Sequence, residues 1–395
     1  MKNISLFIIS LLLLASCQTR EETMNQLIDR VMLVAVEQGK NMAKVLPDEQ
    51  LPRSVDKNGK LVTSNIYWWC SGFYPGTLWY IYEYSGDENI LQLAKKHTEL
   101  LDSIQYVTND HDVGFQLFCS YGNGYRLAKN PQYKDVLVQG AKSLSTRFNP
   151  IVGCTLSWDF NDPNWRFPVI IDNIMNMELL LWVAKETSND SLYNMACSHA
   201  NTTIKNHFRK DYSCYHLVDY DTVQGTPRQK QTVQGANNES SWARGQAWAL
   251  YGYTMMYRYT SDQAYLNQAK NVAEYLLNHT NMPQDGIPYW DYKAPKIPND
   301  FRDASAAAIM ASGLIELSEC VSKDDKEKFL SFAEKQLRTL ASSEYLAKAG
   351  TNSNFLLKHS VGNLPGNSEV DVPLTYADYY FVEALVRYKK YNSEK

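Results

Sequence analysis

Two kinds of helix alternate along this chain, and that alternation restricts the fold more than any other feature. Segments such as WALYGYTMMYRY, IIDNIMNMELLLWV and DASAAAIMASGLIEL are apolar or small on nearly every side, whereas LAKKHTELLDSI and KDDKEKFLSFAEKQLRTL carry one apolar stripe and a charged face. A helix apolar all round must be buried, and an amphipathic one covers a core from outside. Helical periodicity predicts segments at 24–46, 74–85, 88–106, 114–129, 132–147, 171–187, 190–208, 242–260, 262–279, 303–321, 324–343 and 375–391. Short polar turns (Ser85-Gly86-Asp87, Lys129-Asn130-Pro131, Ser188-Asn189, Thr260-Ser261) follow the buried helices, and long loops rich in Trp, Asp, Gly and Pro lead back to the next one. Twelve helices in six such hairpins close most simply into an inner and an outer ring. The expected fold is all-α, an (α/α)6 barrel of six helical hairpins in a single domain over residues 24–395. An open superhelix of helical repeats is the alternative, but its units would be similar in length and these loops vary strongly.

At the N-terminus, Lys2 precedes an apolar run from Ile4 to Ala15, about 12 residues and too short to span a bilayer. Residues 1–16 are expected to be a secretory signal peptide. Leu14-Ala15-Ser16-Cys17 resembles a lipoprotein lipobox, so Cys17 is expected to be lipidated and to head a polar tether over residues 17–23. Gln18 after that cysteine implies outer-membrane sorting in a Gram-negative envelope, with the protein facing the periplasm and touching the membrane only through its lipid. The other six cysteines lie far apart, with no CxxC pair and no zinc-ligand spacing, and are expected to be mostly small core residues. No metal or cofactor is predicted. With 39 Lys and Arg against 43 Asp and Glu, the net charge of −4 argues against a nucleic-acid binder.

In a closed barrel the inner helices run parallel, so their N-termini and the long loops before them gather at one mouth. Six helix N-termini favour an anionic ligand there. The segments that arrive at the mouth are Tyr67-Trp68-Trp69, His111-Asp112-Val113, Ile171-Asp172-Asn173, Ser241-Trp242-Ala243-Arg244, Phe301-Arg302-Asp303 and Leu374-Thr375-Tyr376-Ala377-Asp378. An Asp in a first helical turn is usually a cap. Asp172, however, follows Val169-Ile170-Ile171 and precedes Asn173, which can itself cap, so its carboxyl is expected in an apolar wall with a raised pKa. Asp112 nearby would add like-charge coupling and leave one acid beside one carboxylate near neutrality. Arg244 and Trp248 share a helix face, and an arginine fork beside indoles suits a sugar carrying a carboxylate; the alternative is an arginine that holds loops together.

Seven segments in order (HDVGF, FPVIIDNIMNMELLLW, CYH, QGANNESSWARGQAWALYGY, YWDYKAP, FRDASAAAIMASGLIEL and DVPLTYADYYFVEAL) resemble the unsaturated glucuronyl hydrolases, glycoside hydrolase family 88. The resemblance implies a six-hairpin barrel enzyme that removes the 4,5-unsaturated uronic acid left by polysaccharide lyases on glycosaminoglycan oligosaccharides. It implies Asp172 as general acid and base and Asp112 as its partner carboxylate. It also implies Trp69, His216, Gln234, Trp242, Arg244 and Trp248 as residues holding the sugar, with Thr232 in the matching loop. The chain departs from the family pattern at Tyr74, where Trp is common, and at Val233, where some members have His. Ser360, with Lys358 and Asn363 in the loop entering the last inner helix, is expected beside the partner sugar, where it could donate to a sulfate or an N-acetyl group. A sister family acting on unsaturated rhamnogalacturonan disaccharides, and a non-catalytic glycan-binding lipoprotein, are the competing readings; the carboxylate pair distinguishes the second.

Overall fold

The computed structural model describes residues 22–159 and 163–393; the expected signal peptide, Cys17 and most of the tether lie outside the described residues. Its helices are α1 (Met24–Val45), α2 (Phe73–Ser85), α3 (Glu88–Glu99), α4 (Val113–Leu117), α5 (Asn123–Ala128), α6 (Pro131–Ser145), α7 (Asn173–Thr187), α8 (Asp190–His207), α9 (Ala243–Thr260), α10 (Gln263–Asn278), α11 (Ala304–Ser318), α12 (Lys323–Leu340) and α13 (Thr375–Ser393).

The inner ring runs α2, α4 with α5, α7, α9, α11 and α13, each packed on the next, and α13 returns to pack on α2. That contact closes the ring and excludes the open superhelix. The first helix, α1, lies against α2, α3 and α13, so the chain's first and last helices complete the sixth hairpin. Burial follows composition. Every residue of α11 except Glu316 is buried, whereas α12 buries only the stripe Phe329, Leu330, Ala333, Gln336, Leu337 and Leu340.

The short turns reuse one piece of chemistry. Gly86, Lys129, Ser188 and Ser261 end their helices in the left-handed conformation, and the next residue (Asp87, Asn130, Asn189, Asp262) caps the following helix through its side-chain oxygen. Each such cap contributes about 1 kcal/mol, so the hairpin bends are written locally in the sequence.

Three expectations change. The predicted helix 88–106 stops at Glu99 and continues as a 3-10 turn over Asp102–Tyr106. The predicted helix 114–129 is broken by a π turn at Phe118–Gly122. Opposite that turn, a Cβ on Gly76 would lie 2.5 Å from the Cys119 carbonyl, so α2 approaches the turn at backbone distance. Finally, the loops are not free of strands. Pro168–Ile170, Leu217–Tyr220 and Pro227–Gln231 form a three-stranded antiparallel sheet, and Ser360–Asn363 pairs with Ser368–Val372. These strands are too short for period-two alternation to show in sequence, yet they deliver the residues of the mouth.

Candidate active site

The three-stranded sheet sets the first pair of groups. Ile170 pairs with Leu217, and the ladder continues one step as the Ile171 N–H donates to the His216 carbonyl at 2.8 Å. Asp172 and His216 therefore leave the sheet side by side, with Asp172 Oδ2 3.7 Å from His216 Nε2. The His216 ring is buried; its Nδ1 accepts the Gln234 backbone N–H at 3.3 Å, and burial lowers its pKa to about 3. It is thus neutral, and with Nδ1 accepting, the ring proton belongs on Nε2, facing Asp172.

Asp172 is not a cap: it precedes α7 with helical dihedrals and makes no capping hydrogen bond. Its Oδ2 is a buried oxygen with no hydrogen-bond partner. Burial raises its pKa to about 6, against smaller pulls from Arg244, its own backbone N–H and the Trp248 indole. At neutral pH this carboxyl exchanges its proton readily. Asp112, at the start of α4, is likewise not a cap. Burial drives its pKa well above the usual carboxylate range; the Asp110 charge adds to this, a hydrogen bond from Asn176 opposes it, and the Asp172 charge raises it further. Both expected carboxyls are therefore buried and shifted upward, each chiefly by burial.

The aromatic wall is layered. Trp69 packs on Phe73, Phe115 and Tyr376, and Phe115 in turn packs on Trp248. Trp242 lies beneath the His216 ring at 4.7 Å between centroids, and Trp158 meets the edge of the same ring.

The profile of Glycosyl Hydrolase Family 88 matches residues 41–393. The chain belongs to that family. An unsaturated glucuronyl hydrolase of Formosa agariphila is 48% identical over 320 residues, 81% of this chain and 79% of that protein. An unsaturated chondroitin disaccharide hydrolase of Streptococcus pyogenes is 31% identical over 349 residues, 87% of this chain and 86% of that protein. Among solved structures, an unsaturated glucuronyl hydrolase specific for heparin superposes with a TM-score of 0.91 at 49% identity, covering 93% of this chain and 98% of that one. An Asp-to-Asn variant of the Streptococcus agalactiae unsaturated glucuronyl hydrolase, complexed with dGlcA-GalNAc6S, gives a TM-score of 0.80 at 27% identity over 93% and 92% of the two chains. The family 88 chain is a glycosidase built as an (α/α)6 barrel.

Several residues expected to hold sugar are engaged with protein. Arg244 is buried; its guanidinium donates to the Val361 and Gly362 carbonyls and to Gln234 Oε1, stacks over Trp242, and faces Asp303 Oδ2 at 3.7 Å. These contacts suit the alternative reading of an arginine holding loops, while its Nε has no protein partner. Thr232 Oγ1 donates to the Asn238 carbonyl at 3.1 Å, and Trp242 and Trp248 are fully buried. Lys358 donates to the Ser343 carbonyl at 2.8 Å. Ser360 is buried with its Oγ free of protein partners, as is Tyr376 Oη. These orphan polar atoms, with Asp172 Oδ2 and His216 Nε2, are groups a bound sugar can satisfy.

Asp110, His111 and Asp112 bring three potential ligand atoms within 4.8 Å of one another. Asp110 Oδ1 is bound to the Asp112 backbone N–H, however, while Asp112 Oδ1 and His111 Nδ1 both lie against the Asn176 amide. Asn176 was not singled out from the sequence, although an Asn four residues after Asp172, on the largely apolar start of an inner helix, was a usable signal.

Proposed function

We propose that this chain removes the 4,5-unsaturated uronic acid from the non-reducing end of lyase-generated glycosaminoglycan oligosaccharides by hydrating its C4=C5 enol ether. The observation that carries this reading is Asp172: an uncapped carboxyl with a free buried oxygen and a pKa near 6. Such a group can give a proton and take one back in the same cycle. Protonation of C4 by Asp172 leaves an oxocarbenium at C5, shared with the ring oxygen. Water adds to C5 and its proton goes to the Asp172 carboxylate, restoring the acid. The hemiketal then opens, and the glycosidic bond breaks without attack on the anomeric carbon. Burial shifts the Asp112 carboxyl upward as well, and the Asp172 charge adds to that shift, so a negative charge on one carboxyl disfavours a second on the other. His216 turns its Nε2–H toward Asp172 Oδ2 at 3.7 Å, beyond hydrogen-bond distance, and the Gln234 backbone N–H fixes the His216 tautomer. Trp69 offers a half-buried ring at the mouth, and Ser360 a free hydroxyl for the partner sugar.

The relatives support the substrate class, since their names refer to heparin, chondroitin disaccharide and an unsaturated glucuronate on a sulfated N-acetylgalactosamine. The test is loss of the conjugated chromophore from a panel of unsaturated chondroitin, hyaluronan, heparin and rhamnogalacturonan disaccharides. Turnover confined to rhamnogalacturonan would overturn the glycosaminoglycan assignment, and no turnover on any would overturn the activity. We also propose that the chain is an outer-membrane lipoprotein anchored at Cys17 on the periplasmic face. Fatty-acid labelling that survives in a Cys17→Ser variant would refute this.

A further inference from the structure

We propose that Asn176 is a positioning residue that sets Asp112 against Asp172 by turning its amide oxygen and both amide hydrogens onto the segment from His111 to Phe115. The proposal rests on the reaction assigned to the two carboxyls. Asn176 is fully buried on α7, four residues after Asp172, so the two share one face of the same helix start. Its Oδ1 accepts the Phe115 backbone N–H at 2.7 Å. A backbone N–H can only donate, so this contact fixes which way the amide points. Nδ2 then donates one hydrogen to Asp112 Oδ1 at 3.0 Å and lies 3.3 Å from His111 Nδ1.

The second contact makes Nδ1 of His111 an acceptor and leaves the ring proton on Nε2, which sits 3.4 Å from Asp112 Oδ2. The ring is buried and neutral, as burial holds its pKa well below the ordinary value. Both oxygens of Asp112 therefore face donors that Asn176 supplies or orients. The approach is close because position 114 is glycine: a Cβ there would meet Asn176 Cα and Oδ1 at 2.6 Å. A buried amide is costly when left unpaired, and here the amide oxygen and both amide hydrogens face partners on one segment. The titratable groups facing Asp112 are Asp110 and the neutral His111 on its own loop, Asp172 just before α7, and Arg147 after α6, which is itself paired with Asp159 at 3.0 Å.

A polar clip that merely joins α4 to α7 would make the same contacts, so the experiment must read Asp112 itself. Asn176→Ala, Asp112→Asn and the double variant are compared for kcat and KM, and Asn176→Asp, which keeps the acceptor but loses both donors, repeats the test should the alanine variant not fold. Loss of positioning is expected to lower kcat about 10²-fold with KM little changed. The double variant should lose no more than Asp112→Asn alone, because the two residues act as a unit. In parallel, 13C-aspartate titration without substrate should show the Asp112 signal, identified by its absence in Asp112→Asn, with its midpoint moved upward in the Asn176 variants, since the donor that favours the carboxylate is gone. Wild-type kcat in the Asn176 variants, additive losses in the double variant, or an unmoved Asp112 midpoint would each overturn the proposal. If the wild-type chain hydrates no unsaturated uronide, the reaction assignment fails, while the substrate-free titration still decides the role of Asn176.

Discussion

Replacing Arg244 by Met keeps the length and the apolar stem and removes the guanidinium. Two strand carbonyls, Val361 and Gly362, then lose buried donors, and Asp303, fully buried, loses the cation 3.7 Å away. Breaking a buried ion pair from one side costs about 3–5 kcal/mol, and each orphaned buried acceptor about 1–3 kcal/mol. These contributions overlap, because one group makes all the contacts. Asp303 also keeps donors from Ser305, whose N–H and Oγ lie 3.0 and 2.6 Å away, and its raised pKa lets it take up a proton. A loss of about 3–4 kcal/mol is therefore expected. Urea unfolding followed by tryptophan fluorescence at pH 7 measures it, with an unchanged m-value confirming that the native state is intact. Asp303→Asn in the Arg244→Met background should recover part of the loss, since Asn retains a capping oxygen without an orphan charge. A loss below about 1 kcal/mol would refute the claim that this arginine serves the loops and would return it to the substrate.

Asp172→Asn should fold normally and lose about 10² to 10⁴ in kcat, as one group serves both proton transfers. Wild-type kcat/KM should fall as pH rises through about 6, because the acid must be protonated in the free enzyme; a flat profile to pH 8 would exclude Asp172 as the acid. Asp378 is buried with a pKa near 7 and accepts the Leu356 and Leu357 N–H groups at 2.8 Å. Between the unfolded value of about 4 and its folded value, the folded chain holds a proton that the unfolded chain has lost, so this group's stabilisation declines as pH rises across that window. Asp378→Asn should flatten that part of the stability profile, and an unchanged slope between pH 4 and 7 would count against it. Ser360→Ala should alter stability by less than about 0.5 kcal/mol, having no protein partner to lose, but raise KM; an unchanged KM would remove Ser360 from the site.

The ring of helices was legible because its signals are local. All-round apolar helices, left-handed stops at Gly86 or Ser188 and Asx caps at Asp87 or Asn189 each act within a few residues. Asp172 was legible for the same reason: an apolar run before it and a second potential cap after it. Arg244 was not. Its partners are backbone carbonyls at Val361 and Gly362, and a carbonyl leaves no mark in a sequence, so the arginine among indoles looked free for a ligand. The π turn and the sheet that presents His216 were hidden because they are set by packing between distant segments, not by the residues within them.

Four aspartates enter the first turns of inner helices, and similar positions have led to different duties. Asp303 caps α11 through Ser305 and faces Arg244, so its charge is matched. Asp378 is bound to two loop N–H groups and pins the segment leading to Ser360. Asp112 is held by Asn176 and pushed upward first by burial and then by two neighbouring carboxylates. Only Asp172 combines a buried oxygen that no protein donor claims with a pKa close to neutrality. The helix N-terminus and Arg244 favour its anion while burial favours its acid, and the balance near pH 6 results from these opposing effects. A reaction that needs one group to act first as acid and then as base selects that carboxyl over the other three.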